Sequence, residues 1–101
     1  MEIKLISLIV PAYKQEKTIA QDLKRIKDVL DQLRYPTELI CVIDGKADNT
    51  FANAEEFSRK YSNIKVIGYD TNRGKGYAVR FGMAESRGDI VGFIDSGMDL
   101  N

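Results

Sequence analysis

Short apolar runs alternate along the chain with longer segments of mixed polarity. The apolar runs lie at residues 5–10, 38–43, 64–69 and 90–94. Runs of this length suit strands that are buried on both faces of a sheet. The longer segments lie at residues 16–33, 48–61 and 74–86. In the first of them, Ile19, Leu23, Ile26 and Leu30 recur at helical spacing and leave the opposite face charged. The pattern predicts the order β-α-β-α-β-α-β.

Residues that break regular structure separate the predicted elements. Pro11 is expected to end the first strand, and Pro36 closes the first helix because proline disfavours a helical conformation in the residue before it. Asp48 or Asn49 is expected to cap the second helix. Asp89 follows Gly88 in the turn that precedes the fourth strand.

Alternating strands and helices favour a parallel sheet with helices on both faces. The predicted fold class is therefore α/β, a Rossmann-like three-layer sandwich formed by residues 1–101 as one domain, with the strand order 3-2-1-4. In such sheets, ligands bind beyond the carboxyl ends of the strands. We therefore expect the functional residues to lie just after each predicted strand.

Composition excludes several classes of function. The chain has 101 residues, and its 15 basic and 15 acidic residues give no net charge, so we expect no nucleic-acid partner. Cys41 is the single cysteine and histidine is absent, which excludes an internal disulfide and histidine-based triads. A lone cysteine also favours a cytoplasmic location. No apolar run is long enough for a membrane span.

The first two predicted strands end in groups that suit a nucleoside. Tyr13 follows the first strand and offers an aromatic face on which a base could stack. Asp44 follows the second strand, and its carboxylate could accept hydrogen bonds from a base N–H or a ribose hydroxyl. These residues suggest a nucleotide site.

The third and fourth strands lead into groups that suit a diphosphate. Gly74 and Gly76 would let backbone N–H groups approach an anion at a helix N-terminus, and Arg73 and Lys75 add positive charge. Asp95 offers hard oxygen ligands for Mg²⁺ or Mn²⁺, with Asp99 four residues further along. A metal would bridge the phosphates of a leaving nucleotide.

Four segments together resemble the family-2 glycosyltransferases of the GT-A fold. They are VPAYKQEKTI at residues 10–19, VIDGKADNT at 42–50, NRGKGYAVR at 72–80 and RGDIVGFID at 87–95. Each motif alone is weak, but all four follow the order of that family and cover most of the chain. The third is most similar to the polyprenyl-phosphate and dolichyl-phosphate mannosyl- and glucosyltransferases.

This resemblance implies a role for each matching residue. The implied donor-binding residues are Pro11, Ala12, Tyr13, Gln15, Val42, Asp44, Arg73, Gly74, Lys75, Asp95 and Ser96. The implied metal ligands are Asp95 and Asp99. The chain departs from the family pattern at Gln15, where glutamate is usual, at Ile43, which replaces the first aspartate of a pair, and at Gly97, which replaces the second aspartate of Asp-x-Asp. Metal binding is therefore expected to be weak.

The resemblance implies metal-assisted transfer of a sugar from a UDP- or GDP-sugar to an acceptor, which could be a lipid phosphate or a sugar. No catalytic residue is assigned, because in the family the general base belongs to an acceptor-binding half that would follow this domain. A minimal nucleotide-sugar-binding module or a slow donor hydrolase is the alternative. A dinucleotide-binding Rossmann domain is disfavoured, since no Gly-x-Gly-x-x-Gly follows the first strand. The expected open edge of the fourth strand also predicts a homodimer.

Overall fold

The computed structural model describes residues 2–95. In chain order, its elements are β1 (Ile6–Ala12), α1 (Ile19–Leu30), β2 (Thr37–Asp44), α2 (Thr50–Ser58), β3 (Ile64–Tyr69), α3 (Lys75–Glu85) and β4 (Ile90–Phe93). Every predicted helix and strand is present, in the predicted order. The differences lie at the element ends.

The strands form a parallel sheet in the order β3-β2-β1-β4. The predicted α/β class and the predicted strand order are therefore confirmed. β1 lies at the centre, paired with β2 along its whole length and with β4 from Ile6 to Ile9. This arrangement brings the carboxyl ends of β1, β2 and β4 to one edge of the sheet.

The prediction that Pro11 ends the first strand is wrong, since β1 continues to Ala12. The Ile9 carbonyl accepts a hydrogen bond from the Ile94 N–H, so alternate residues of β1, including Pro11, direct their backbone groups towards β4. The β1–β4 ladder stops at Ile9. The missing N–H of Pro11 therefore removes no ladder bond, and the strand can pass through it.

The helices are shorter than predicted, because tight turns occupy their ends. The Gln15 carbonyl accepts from the N–H groups of Thr18 and Ile19, so a turn precedes α1. At the other end of α1, the Leu33 N–H donates to the Leu30 carbonyl, and after α2 the Tyr61 N–H donates to Ser58. Bonds between residues three apart, as donated by Thr18, Leu33 and Tyr61, are typical of fraying helix ends, and they explain the difference.

Two apolar layers hold the helices on opposite faces of the sheet. α1 and α2 cover one face, where Leu23 and Ala54 pack with Cys41 and Ile43 of β2. α3 covers the other face, where Ala78 packs with Ile9, Ile40 and Val42. A Cβ atom at Gly82 would lie 2.6 Å from Cγ2 of Ile9, so α3 approaches the sheet more closely than a larger residue would permit. Burial raises the pKa of the Cys41 thiol to about 12, which leaves it an inert core residue.

Within the described part of the chain, no helix reaches the length and apolarity that a membrane span requires.

Asp89 joins the two chain segments that meet at the amino end of the sheet. Its Oδ2 accepts from the N–H groups of Lys4 at 2.6 Å and Leu5 at 3.1 Å, and its own N–H donates to the Leu5 carbonyl at 2.8 Å. The hydrogen bonds from Lys4 and Leu5 lower the pKa of the Asp89 carboxyl below its usual value. Folding thus favours the ionised form of the Asp89 carboxyl.

We expect Asp89→Asn to be less stable than the parent at neutral pH, because the amide keeps the shape but loses the charge that strengthens both bonds. A carboxyl with a lowered folded-state pKa contributes stability above its unfolded pKa and loses that contribution as the pH falls through the folded value. The difference in Tm should therefore be present at pH 7 and shrink below the usual value of 3.8. Thermal melts from pH 7 to about pH 2.5 measure it, with the exposed Asp70→Asn as the control. An equal difference at both ends of this range would contradict the assignment.

Candidate functional site

A cleft of ≈ 200 Å³ opens at the carboxyl edge of the sheet. It lies where ligands bind in open parallel sheets. Its walls come from the ends of β1, β2 and β4 and from the first turn of α3. The lining residues are Pro11, Ala12, Tyr13, Gln15, Asp44, Lys75 and Asp95. All of them are among the residues that the sequence assigns to donor binding, and the fold brings them together.

The end of β1 supplies an exposed aromatic ring. Ala12 is buried, whereas the Tyr13 side chain immediately after it is 41% exposed. Lys14 then takes a φ of 49°, in the left-handed region. Its ammonium lies 5.4 Å from the centre of the Tyr13 ring. The chain therefore turns away after Tyr13, which stays accessible at the cleft.

Gln15 ties this turn to the first two helices. Its backbone N–H donates to Oγ1 of Thr50 at 2.7 Å, and its side-chain amide donates to Asp22 at 3.2 Å. Asp48 holds Thr50 in turn, accepting from its N–H at 2.9 Å and its hydroxyl at 2.6 Å. These bonds from Thr50 lower the pKa of Asp48. Asp48 thus forms a turn just before α2. The N-cap residue is Asn49, and α2 has no side-chain cap hydrogen bond, so the expected side-chain cap does not form.

Asp44, the last residue of β2, accepts four described hydrogen bonds from side-chain and backbone donors at its carboxylate. It is 5% exposed. Its Oδ1 accepts from the Tyr69 hydroxyl and the Arg73 N–H, both at 2.8 Å. Its Oδ2 accepts from the side-chain amide of Asn72 at 3.0 Å and the Gly74 N–H at 3.1 Å. Asp44 therefore fastens the loop between β3 and α3.

Tyr69 and Asn72 are hydrogen-bond partners of Asp44 that the sequence reasoning did not assign to the site. The Tyr69 ring meets Tyr77 and Phe81 of α3 edge-to-face, at centroid distances of 5.1 Å and 5.0 Å. Burial, followed by its bond to Asp44, raises the pKa of the Tyr69 hydroxyl, so it stays a donor. Asn72 had a visible signal, because it opens the NRGKG motif. Tyr69 had none beyond its place at the end of a strand.

Two glycines let this loop approach Asp44. Gly74 has a φ of 96° and Gly45 a φ of 99°, values that favour glycine. A Cβ atom at Gly45 would lie 2.8 Å from the backbone nitrogen of Asn72. Glycine is thus needed at position 74 because the chain turns there in a left-handed conformation. In this turn, the Gly74 N–H donates to Asp44. Gly76, inside α3, has no such constraint.

Lys75 is the cation that reaches the cleft. It is the first residue of α3, and its Nζ lies 3.7 Å from Oδ2 of Asp95. The side chains of Lys75 and Asp95 are 52% and 41% exposed. The Arg73 guanidinium instead lies over the Tyr77 ring at 5.2 Å and is absent from the cleft lining.

Val42 does not take the position that the sequence implied. It is fully buried and packs in the core beneath α3 with Ile9, Ile40 and Ala78. Its side chain therefore does not line the cleft. The predicted positions Ser96 and Asp99 lie outside the described residues.

The described residues offer few ligands for a metal. Residues 2–95 contain no group of three or more carboxylate, thiol or imidazole side chains that could hold an ion. Asp95 contributes a hard carboxylate at the mouth of the cleft. Such a site fits a cation that takes most of its remaining ligands from bound phosphates and water, as Mg²⁺ commonly does.

Comparison with known proteins yields one family and a consistent fold. The profile of glycosyl transferase family 2 matches residues 7–96. A dolichyl-phosphate beta-glucosyltransferase of Trichomonas vaginalis is 35% identical over an alignment of 96 residues, and the match covers 90% of this chain and 29% of that protein. The chain thus spans under a third of the length of this relative.

Solved structures agree with this result. Glucosyl-3-phosphoglycerate synthase from Mycobacterium tuberculosis, in complex with Mn²⁺, uridine diphosphate and phosphoglyceric acid, is 31% identical with a TM-score of 0.71, over 92% of this chain and 33% of that one. A mannosyltransferase from Pyrobaculum calidifontis, in complex with GDP-Man and Mn²⁺, is 21% identical with a TM-score of 0.78. This match covers 95% of this chain and 28% of that one. The latter likeness concerns the fold alone. With a family match that covers most of its length, the chain belongs to glycosyl transferase family 2.

Proposed function

We propose that this chain binds the nucleoside diphosphate of a sugar donor and forms the donor-binding part of a glycosyltransferase. The observation that carries this proposal is the cleft itself, in which an exposed ring, a helix N-terminus with its lysine and a carboxylate surround one space. A related protein was solved with uridine diphosphate, and a protein of the same fold was solved with GDP-Man. The nucleoside would be uridine or guanosine.

Each part of the cleft has a chemical use in this proposal. The Tyr13 ring would stack against the base, with Pro11 and Ala12 beneath it. The diphosphate would lie at the N-terminus of α3, where backbone N–H groups and the Lys75 ammonium favour negative charge. When the bond from the anomeric carbon to the diphosphate breaks, the charge on the leaving group increases, and these groups would stabilise it.

A divalent cation fits this arrangement, with Asp95 as its protein ligand. When bound, the cation would neutralise part of the charge on the leaving diphosphate. A related protein was solved with Mn²⁺, and the cation would be Mg²⁺ or Mn²⁺. Asp95 as the one protein ligand supports only weak affinity for the metal in the absence of nucleotide.

The proposed transfer takes place at the anomeric carbon of the donor sugar. An acceptor phosphate oxygen, or an acceptor hydroxyl that gives its proton to a general base of the acceptor-binding half, would form the new bond to this carbon as the bond to the diphosphate breaks on the opposite side, with inversion. A relative named as a dolichyl-phosphate beta-glucosyltransferase supports a lipid phosphate as the acceptor. Incubation of the chain with UDP- or GDP-sugars and either a polyprenyl phosphate or water separates transfer from slow hydrolysis, because the sugar-containing products differ.

We expect Lys75→Ala to raise the Kd for UDP or GDP about fivefold, ~1 kcal/mol, because a half-exposed ammonium contributes less than a buried one. Isothermal titration calorimetry measures the change. Lys65→Ala is the matched control, since its side chain is equally exposed, at 52%, and pairs with Glu85 at 3.2 Å away from the cleft. Equal effects of the two substitutions would argue against the diphosphate position.

We expect Mn²⁺ to tighten nucleotide binding only modestly, by about threefold to tenfold, because phosphate and water supply most of its ligands. Asp95→Asn should abolish that gain. In the absence of metal, the variant should bind at least as tightly as the parent, since Lys75 no longer pairs with a carboxylate 3.7 Å away. Calorimetry with Mn²⁺ or EDTA tests both statements. A metal gain that survives in Asp95→Asn would rule out this ligand.

We also propose that two copies of the chain pair along β4. This strand lies at one edge of the sheet, and the side chains of Ile90 and Phe93 are 42% and 57% exposed. Unpaired backbone groups beside apolar side chains favour strand pairing. Light scattering after size exclusion should show a dimer that Ile90→Lys converts to a monomer. A parent that stays monomeric at high micromolar concentration would refute the pairing.

The cytoplasmic location stays a prediction.

A further inference from the structure

Asp22 is a buried carboxylate behind the cleft that the proposed function does not use. It lies in the first turn of α1 and is 8% exposed. It accepts from the side-chain amide of Gln15 at 3.2 Å and from the half-exposed guanidinium of Arg25 at 3.5 Å. Gln15 lines the cleft, whereas Asp22 does not. The hydrogen bond between the two therefore connects a buried charge of α1 to the wall of the cleft.

The partners of the Gln15 side chain fix the orientation of its amide. The amide nitrogen can only donate hydrogen bonds, and the amide oxygen can only accept them. An ionised carboxylate only accepts, so Asp22 requires the nitrogen on its side. The Tyr13 N–H only donates, and it lies 3.4 Å from Oε1 of Gln15. Both contacts select the same orientation, and the charge-assisted bond to Asp22 is the stronger restraint, because the bond from Tyr13 is long.

The turn at residues 13–15 needs such restraints. Lys14 has a φ of 49°, in a left-handed conformation that a lysine seldom adopts. The Gln15 N–H donates to Oγ1 of Thr50 at 2.7 Å, which holds the turn from the start of α2. Asp22 holds it from α1. The same turn carries the exposed Tyr13 ring, which would stack against the base in the proposed function.

Asp22 also gives a physical reason for the glutamine at position 15, where the family usually has glutamate. Glutamate has nearly the same shape, but it has an oxygen in place of the amide nitrogen. That oxygen would lie about 3.2 Å from the carboxylate of Asp22. Two carboxylates at this distance repel each other, and neither could donate to the other while both are ionised. Position 15 therefore requires a donor as long as position 22 is an aspartate.

We propose that Asp22 is a positioning residue for the nucleobase. It holds the Gln15 amide and, through it, the turn that presents the Tyr13 ring to the cleft. This inference rests on the proposed function, in which the base stacks on Tyr13.

The test exchanges the donor and the acceptor of the pair, and calorimetry with UDP and with GDP measures the Kd. Gln15→Glu places two carboxylates together, and we expect it to raise the Kd about fivefold. Asp22→Asn leaves a neutral acceptor and should raise the Kd only about twofold. The double variant combines an acceptor at position 15 with an amide donor at position 22. It should return to within about twofold of the parent. A double variant that shows both losses added together would overturn the inference.

Asp28→Asn is the matched control, since it makes the same substitution on the same helix. The Asp28 side chain is 55% exposed and pairs with Lys24 at 2.7 Å, away from the cleft. It should leave the Kd unchanged. An increase equal to that of Asp22→Asn would show that the lost charge, and not the bond to Gln15, weakens binding.

A second background separates positioning of the ring from general damage to the fold. In Tyr13→Ala the ring is absent, so Gln15→Glu should add little to the loss that Tyr13→Ala itself causes. A purely structural role would give the same further loss with or without the ring. Thermal melts without nucleotide show whether Gln15→Glu stays folded. Should it unfold, Gln15→Met removes the donor without adding a charge and enters the same comparison, with the same expected dependence on Tyr13.

The outcomes distinguish this inference from the proposed function. Failure of the parent to bind UDP or GDP, with or without Mn²⁺, would refute the proposed function. Binding that Tyr13→Ala weakens and Gln15→Glu does not would refute only the positioning role of Asp22.

Discussion

The arrangement of the cleft depends on the need of one buried carboxylate for hydrogen-bond donors. A charged group that is removed from water is stable only when it is fully paired. Asp44 is 5% exposed, and its partners come from the end of β3 and from the loop that follows it. Satisfying this charge therefore fixes the loop, the loop fixes the start of α3, and α3 brings Lys75 to the cleft.

The alternation of side chains along β2 explains why Asp44 meets that loop. Val42 packs beneath α3, and Ile43 packs on the opposite face with α1 and α2. Successive side chains of a strand point to opposite faces, so Asp44 lies on the same side as Val42 and α3. The same alternation buries Val42 and keeps it away from the cleft. The sequence motif assigns both Val42 and Asp44 to donor binding. In the structure, Val42 packs in the core, whereas Asp44, at the end of the strand, lines the cleft.

The fold could be predicted from the sequence because each strand is a short apolar run, and because the four motifs follow in order. The cleft lining could also be predicted, since parallel strands bring Tyr13, Asp44 and Asp95 to one edge of the sheet. Hydrogen-bond partners could not. The amino-acid sequence does not show that the Tyr69 hydroxyl reaches Asp44. It also does not show that a proline within the central strand, as at Pro11, is acceptable because the ladder between β1 and β4 stops at Ile9. Both facts depend on tertiary register.

The pair formed by Lys75 and Asp95 connects this rigid frame to the chemistry. At 3.7 Å and half exposed, it is a loose ion pair of the kind that contributes little to stability. A diphosphate carries more negative charge than one carboxylate and would compete well for the ammonium, while a divalent cation would compete for the carboxylate. Both exchanges separate the pair and leave the buried bonds of Asp44 intact. The buried hydrogen bonds of Asp44 can therefore stay in place while Lys75 and Asp95 change partners at the cleft.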